Sequence, residues 1–287
     1  MKRFSLKTLG FSVALVACWA IHTQATITVV TPANMSGWSF FSLNDTYSGP
    51  QIGSIGQMVS GPATPPLGTG SAELSTTVNG GGGGVGITTG GFDGTPLSSI
   101  TSLSYGAYST VNNGQQFPYL AINVNLNDPL NPGAQDTLFF EPPYQTPAAG
   151  GLGVVDQGAT VMNQWQLWNA KIGSFWDNNG TLGGGGYGGV GTLLAFETQF
   201  PNATIADSAA PYSMIDGITL QVGFGSDGET FTGYVDDVTI GTATGTTTYD
   251  FEPGTPVPEA STMIAGILLL LPFGASTLRI LRKTRRA

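Results

Sequence analysis

Residues 119–126, Tyr-Leu-Ala-Ile-Asn-Val-Asn-Leu, and residues 233–240, Gly-Tyr-Val-Asp-Asp-Val-Thr-Ile, decide the fold class of this 287-residue chain. In both stretches apolar side chains alternate with small or polar ones. Successive side chains of a strand point to opposite faces of a sheet, so alternation with period two predicts a strand with one buried and one solvated face. The two stretches therefore predict antiparallel β-structure.

Similar short runs recur along the chain. They cover residues 26–30, 38–41, 71–78, 102–105, 137–140, 164–168 and 218–222. Turn-forming residues separate them, and the glycine tracts 80–84 and 183–191 predict flexible loops. Helical periodicity is limited to one turn at most, within 203–210. Many short strands with turn-rich joins favour an all-β antiparallel β-sandwich or jelly roll over residues 26–250, followed by a linker at 251–256.

The N-terminus has the parts of a secretory signal peptide. Lys2, Arg3 and Lys7 precede an apolar run over 9–21, and small residues then lead to Ala25. The apolar run is shorter than the roughly 20 residues that span a bilayer. We therefore expect a signal peptide over 1–25, export by the Sec translocon, and cleavage by signal peptidase after Ala25.

Two alternatives at the N-terminus stay open. A retained apolar helix could anchor the chain instead of being removed. Residues 15–18, Leu-Val-Ala-Cys, also resemble a bacterial lipobox, in which Cys18 would be lipidated and become the first residue.

The C-terminus has the parts of a stop-transfer segment. The apolar stretch over 262–278 is just long enough for a transmembrane helix. A basic cluster follows it, consisting of Arg279, Arg282, Lys283, Arg285 and Arg286. Basic flanks stay on the cytoplasmic side, so the body of the protein is expected outside the membrane. On these features alone the segment is a single-pass anchor.

A short motif precedes the apolar stretch. It consists of Val257, Pro258, Glu259, Ala260, Ser261 and Thr262. This motif, followed by an apolar helix, a basic cluster and the chain end, resembles the PEP-CTERM sorting tail over residues 257–287. The family usually has a second proline where this chain has Ala260. The resemblance implies an exosortase as partner, cleavage near the motif after an inner-membrane intermediate, and final location on the surface or in the extracellular matrix of a Gram-negative-type bacterium.

Charge is distributed very unevenly. Residues 26–258 contain seventeen acidic residues and one basic residue, Lys171, which gives a net charge of about −16. Such a domain repels nucleic acid and anionic lipid surfaces. We expect no nucleic-acid partner, and the membrane is a partner only through the C-terminal helix before processing.

Cysteine and histidine are confined to the N-terminal segment. Cys18 and His22 are the only ones in the chain. A mature domain that begins at residue 26 therefore has no disulfide, no Ser-His-Asp or Cys-His catalytic site, and no His/Cys zinc site. Catalysis would depend on carboxylates, and the glutamates do not form the Glu-x-Asp-x-x-Glu pattern of laminarinase-like glycosidases. We expect a non-catalytic protein, so no catalytic residue is assigned.

Part of the body resembles carbohydrate-binding-module-like jelly rolls of bacterial surface proteins. The resemblance rests on residues 66–71, 165–168 and 234–238. It implies a sheet face that holds sugar. The candidate glycan-binding residues are Trp165, Trp168 and Trp176. Trp165 and Trp168 have opposite strand parity, so at most one of them faces the core.

Calcium is the cofactor that the acidic loops suit best, because hard cations prefer oxygen ligands. Asp236 and Asp237 are the candidate ligands, although neither they nor the other acidic loops have EF-hand spacing. Solvated turn residues are the alternative reading of these loops.

The sequence leaves three functions open. The first is an exported, non-catalytic surface or matrix protein associated with exopolysaccharide. The second is a lectin-like module with a defined glycan ligand, and the third is a glycoside hydrolase that uses two facing carboxylates. A solvent-facing Trp or Tyr beside carboxylates on a sheet would favour the second.

Overall fold

The computed structural model describes residues 25–46, 48–76, 82–150, 155–178, 191–207, 215–225 and 228–254. Nearly all of the signal peptide and the whole sorting tail lie outside these residues, so their predicted structure stays a prediction. Within the described part of the chain, no helix is long and apolar enough to cross a membrane.

Two sheets build the described structure, and the prediction of a mostly β sandwich-like fold is confirmed. The first sheet is organised around one long strand, Phe231–Thr242, which pairs along one edge with Ser102–Val111 and along the other with Gly70–Thr76 and then Gly245–Phe251. Its strands are β1 (Thr26–Val30), β3 (Ile55–Ser60), β4 (Gly70–Thr76), β6 (Ser102–Val111), β9 (Gln166–Asn169), β14 (Phe231–Thr242) and β15 (Gly245–Phe251). The β1–β15 pair is parallel, whereas the other pairs of this sheet are antiparallel.

The second sheet is antiparallel in all its described pairs. Its strands are β2 (Trp38–Leu43), β5 (Gly84–Thr89), β7 (Tyr119–Asn125), β8 (Gln135–Phe140), β10 (Ser174–Asp177), β11 (Gly191–Thr192), β12 (Thr204–Ile205) and β13 (Ile218–Gly223). They run in the order β11-β10-β8-β7-β13-β5-β2, and β12 adds to the end of β7.

Apolar side chains from both sheets form one main core cluster. Its largest fully buried members include Trp168, Tyr105, Phe140, Phe175 and Phe251. The rings of Tyr105 and Phe140 meet edge to face, with centroids 6.1 Å apart, and thereby join the first sheet to the second. Burial of such aromatic surface is the main stabilising contribution of a sandwich.

The prediction of one solvated face per strand is wrong for the middle of the second sheet. Strands β5 and β13 are buried along their full length, and β7 is buried at every position except its last, Asn125. Several of their polar side chains bond to one another or to a covering segment. The Thr88 and Thr219 hydroxyls lie 2.9 Å apart, and Asn123 Nδ2 donates to the Ile215 carbonyl at 2.6 Å. These bonds offset the cost of burying polar groups.

Helices are short. They are α1 (Pro147–Gly150), α2 (Leu193–Gln199) and the 3-10 helices Leu97–Ser99, Pro142–Tyr144 and Ala170–Ile172. Thr192 caps α2, because its hydroxyl accepts the N–H of Ala195 at 3.2 Å. The predicted helical turn within 203–210 is wrong in its described part, where Thr204 and Ile205 pair with β7 instead.

Candidate functional site

A cavity of about 350 Å³ opens at one end of the sandwich. Three connections form it: β6 to β7, the segment after β8, and β13 to β14. Its lining consists of Asn113, Gln115, Gln116, Glu141, Tyr144, Gly225 and Glu229. The lining is therefore mostly polar and contains two carboxylates.

Glu141 is the buried carboxylate of this cavity. It directly follows β8 and is 8% exposed. Trp176 Nε1 donates to its Oε1 at 2.9 Å. Burial raises the pKa of Glu141 to about 7, and the bond from Trp176 opposes that rise. The side chain can therefore exchange a proton near neutral pH.

The second carboxylate, Glu229, faces the β6–β7 connection. Asn113 Nδ2 donates to Glu229 Oε2 at 3.1 Å. Asn113 Oδ1 in turn accepts the backbone N–H groups of Gln115 and Gln116 at 3.1 and 2.9 Å. These two bonds fix the Asn113 amide orientation. Gln116 Oε1 is buried and has no hydrogen-bond partner among the residues the structure describes.

Trp176 covers the outer face of the second sheet. Its ring stacks on Phe139, with centroids 4.1 Å apart and planes 18° apart. Tyr119 and Phe139 belong to the same small apolar cluster. One face of the indole and its N–H are thus committed to the protein, and the ring serves mainly to position Glu141.

Trp165 lies on the outer face of the first sheet. It precedes β9 and is partly buried, and its Nε1 donates to the Pro62 carbonyl at 2.9 Å. Its ring lies 5.5 Å from that of Tyr108, which lies 6.0 Å from the ring of Tyr234. The ring of Tyr108 is buried, with 7% exposed, and connects the partly exposed rings of Trp165 and Tyr234 across β6 and β14.

Polar side chains extend this group of rings across two more strands. Tyr234 is in register with Tyr108 on one side and with Glu73 on the other, and Glu73 is in register with Gln57. Gln57 Nε2 donates to Glu73 Oε2 at 2.7 Å. We call Gln57, Glu73, Tyr234, Tyr108 and Trp165 the outer row. It places rings and a carboxylate–amide pair side by side.

Trp168 is not available to a ligand. It is 1% exposed and packs in the core 6.3 Å from the ring of Phe117. Successive side chains of β9 alternate between the two faces of the sheet, so Trp168 points inward whereas its neighbour Leu167 is exposed. Trp165 is an odd number of residues from Trp168 and therefore lies on the opposite face. Trp168 is therefore removed from the set of candidate glycan-binding residues.

The Asp236–Asp237 pair does not form the expected calcium site. Asp236 is fully buried, and its two oxygens accept the N–H groups of Phe251 and Leu67, each at 3.0 Å. Asp237 has a φ of 52° at a register shift between β14 and β6, which is a β-bulge. The pair sets the local backbone geometry of β14 and leaves no open coordination site at Asp236.

The sequence did not reveal the cavity or most of the outer row. Glu141, Glu229 and Gln116 come from separate connections, and no spacing links them. The alternation of β4, β6 and β14 would place Glu73 and Tyr234 on an outer face, but the strand register that makes them neighbours is a property of the fold. The sorting motif and the basic cluster lie outside the described residues.

Comparison with known proteins adds no further assignment. No protein-family model matches the chain, and no curated protein matches it significantly. Among the described residues, no group of three or more His, Cys, Asp and Glu side chains is placed to hold a metal ion.

Proposed function

We propose that this chain is an exported, non-catalytic protein of the bacterial cell surface or extracellular matrix, and that its β domain associates with exopolysaccharide. Export rests on the signal-peptide features over 1–25 and the acidic composition of the body. Sorting by an exosortase rests on the resemblance of residues 257–287 to the PEP-CTERM tail. We further propose that the sandwich belongs to the jelly-roll type.

The outer row is the observation that carries the glycan proposal. Sugar rings present flat C–H faces that pack on aromatic rings, while their hydroxyls bond to carboxylates and amides. Tyr234 and Trp165 are partly buried, so their rings are held in place yet remain accessible. Glu73 and Gln57 lie directly beside them in register. Rigid rings with a few convergent polar groups are typical of ligand sites.

A lectin-like module with a defined glycan ligand is the alternative, and the same row favours it. The two proposals differ in selectivity. A matrix protein needs only broad affinity for a polymer, whereas a lectin distinguishes among sugars through its hydroxyl contacts. The partner is a polysaccharide in both cases.

A carboxylate-dependent glycoside hydrolase has one observation in its favour. Glu141 and Glu229 line the same cavity, and burial raises the pKa of Glu141 to about 7, as a general acid requires. Chromogenic aryl glycosides incubated with the full chain test this function. Turnover that Glu141→Gln abolishes would establish it in place of the non-catalytic function.

A glycan array probed with the full chain in detergent micelles tests the main proposal. Binding to host exopolysaccharide and to several related glycans is the expected result. Strong binding to a single glycan would favour the lectin, and no binding to host exopolysaccharide would contradict both.

A further inference from the structure

The end cavity carries negative charge without a compensating cation. Glu141 and Glu229 line it. Lys171 is the only basic residue between residues 26 and 254, and its Nζ is already paired with Glu197 at 2.8 Å. A site with two carboxylates in a strongly acidic domain attracts positively charged ligands.

Two acceptor oxygens of the cavity have no donor in the described part of the chain, and one of them, Gln116 Oε1, is a buried atom. Gln116 Oε1 is fully buried and unpaired. Glu141, which lines the cavity, is more than nine-tenths buried, and in the described part of the chain Trp176 donates to its Oε1 alone, so Oε2 can accept from a ligand. An unsatisfied buried acceptor costs about 1–3 kcal/mol, so a ligand that satisfies these oxygens is favoured.

Gly225 lies next to two of the oxygens that line the cavity, Glu229 Oε2 and Gln116 Oε1. A β-carbon at this position would collide with Glu229 Oε2 and approach Gln116 Oε1 to 3.3 Å. Oxygens from two different connections therefore face the same small volume. Gly225 does not have a positive φ, so backbone conformation does not account for glycine at this position.

We propose that this cavity is a binding site for a hard divalent cation, calcium, coordinated by the carboxylates of Glu141 and Glu229 and by the amide oxygen of Gln116. Calcium takes six to eight oxygen ligands in flexible geometry, including carboxylates and amide carbonyls. The cavity volume of about 350 Å³ leaves room for waters to complete the coordination. The ligand set has two acidic residues and an amide, so it is not a group of three acidic side chains.

The balance of donors and acceptors favours a cation over a sugar in this cavity. A sugar hydroxyl donates one hydrogen bond and also accepts, so it needs donors from the protein. The lining contains two carboxylates, which accept but do not donate when ionised, and one N–H of the Asn113 amide already donates to Glu229. Among the described lining residues Tyr144 is the only aromatic one, so the surface on which a sugar could stack is small. The inference does not depend on glycan binding by the outer row, which lies on the first sheet.

Isothermal titration calorimetry of the full chain in detergent micelles, treated with chelator and titrated with calcium chloride at pH 8, tests the proposal. We expect one calcium per chain, with at least a tenfold weaker Kd in Glu229→Gln and in Gln116→Leu. Asp45→Asn, which removes one charge from an exposed turn, should bind like wild type. Magnesium should bind more weakly, because it demands a smaller octahedral site.

Gly225→Ala provides a second variant that keeps every proposed ligand atom. The added methyl group occupies the space for the ion, so calcium binding should again weaken at least tenfold while circular dichroism shows a folded domain. Unchanged calcium affinity in both Glu229→Gln and Gly225→Ala would overturn the proposal. Absence of calcium binding to the wild type, or binding of a monosaccharide in the cavity without calcium, would also overturn it.

Discussion

The carboxylate of Asp236 in β14 accepts the backbone N–H of Phe251 at 3.0 Å, at the end of the neighbouring strand β15. Its other oxygen accepts the N–H of Leu67 at 3.0 Å. The Asp236 side chain thus bonds two segments to the central strand of the first sheet: the connection that precedes β4, and the last strand, β15. Asp236 itself is in register with Gly106 of β6, and the β-bulge at Asp237 that follows it shifts the register of β14 by one residue.

Replacing Asp236 by alanine should destabilise the domain strongly. The substitution leaves two backbone N–H groups without acceptors, and each such loss costs about 1–3 kcal/mol in a buried setting. We expect the free energy of unfolding, measured by urea denaturation, to fall by roughly 2–5 kcal/mol.

Asp237→Asn is the matched control for Asp236→Ala. Asparagine tolerates the positive φ of 52° at this position, so its effect on stability should be small. Equal destabilisation by the two variants would contradict the structural role assigned to Asp236.

The domain should lose stability as pH rises from acid to mildly alkaline values. Burial raises the pKa of Glu141 to about 7 and that of Asp236 to about 8, although backbone N–H bonds oppose the rise at Asp236. A raised folded pKa means that the native state holds a proton that the unfolded chain releases, so stability falls with pH above the unfolded pKa. The midpoint of thermal unfolding should be higher at pH 5 than at pH 8.5.

Glu141→Gln should flatten the part of this pH dependence that ends near pH 7. The amide keeps an oxygen for the Trp176 N–H but cannot ionise, so the variant should be more stable than wild type at pH 8. Asp45→Asn measures the general effect of removing one charge from an acidic domain, because Asp45 is exposed. An identical pH profile in these two variants would contradict the burial effect at Glu141.

The sequence predicted the strands whose alternation is regular and missed those whose composition is unusual. β7 and β14 contain alternating branched and aromatic residues and were predicted within a few positions. β5 begins at Gly84, the last residue of the glycine tract 80–84 that predicts a loop, and the sequence predicts no strand over 85–89. Close packing requires glycine in this strand, because a β-carbon on Gly86 would lie 2.6 Å from the carbonyl oxygen of Leu220. Such contacts depend on tertiary structure.

Site predictions were likewise right where they depend on local strand geometry and wrong where they depend on long-range contacts. The parity argument correctly separated Trp165 from Trp168, because it depends on local strand geometry alone. The calcium ligands were wrongly predicted at Asp236, since the sequence does not show that Leu67 and Phe251 supply N–H groups to that carboxylate. Long-range pairing decides whether an aspartate is a free ligand or a structural acceptor.

Alanine in place of Trp165 or Tyr234 should weaken binding to exopolysaccharide. Each change removes a ring from the outer row, and aromatic contacts are often worth more than about 1.4 kcal/mol at binding surfaces, which corresponds to tenfold in affinity. Binding of the full chain to immobilised exopolysaccharide measures the loss.

Leu167→Ala is the control for the outer row. Leu167 is 65% exposed on β9 of the same sheet but has no ring. It should bind like wild type. A comparable loss in Leu167→Ala would indicate general apolar adhesion and contradict specific stacking on the row.

Substituting Pro258 and Glu259 by alanine should trap the protein as a full-length membrane form while leaving export intact. A plain anchor requires only an apolar stretch and flanking charge, both of which remain in this double variant. Proline restricts the residue before it to extended conformations, so Val257 is expected to be presented as an extended peptide. A processing enzyme commonly binds its substrate in that form, and loss of the motif should therefore block cleavage.

The mass of the mature wild-type protein from its host decides between sorting and anchoring. Removal of the tail near Pro258 and Glu259 should give a protein that ends close to the motif, and the double variant should retain the tail through Ala287. Ser261→Ala and Thr262→Ala, made together, test whether residues after the Pro-Glu pair contribute. Ala260→Pro should restore the usual motif of the family, and the tail of this variant should be cleaved at least as well as that of the wild type. An intact tail on the mature wild-type protein would show that the segment is a permanent anchor, because export and topology would then need nothing beyond hydrophobic length and the basic cluster at 279–286.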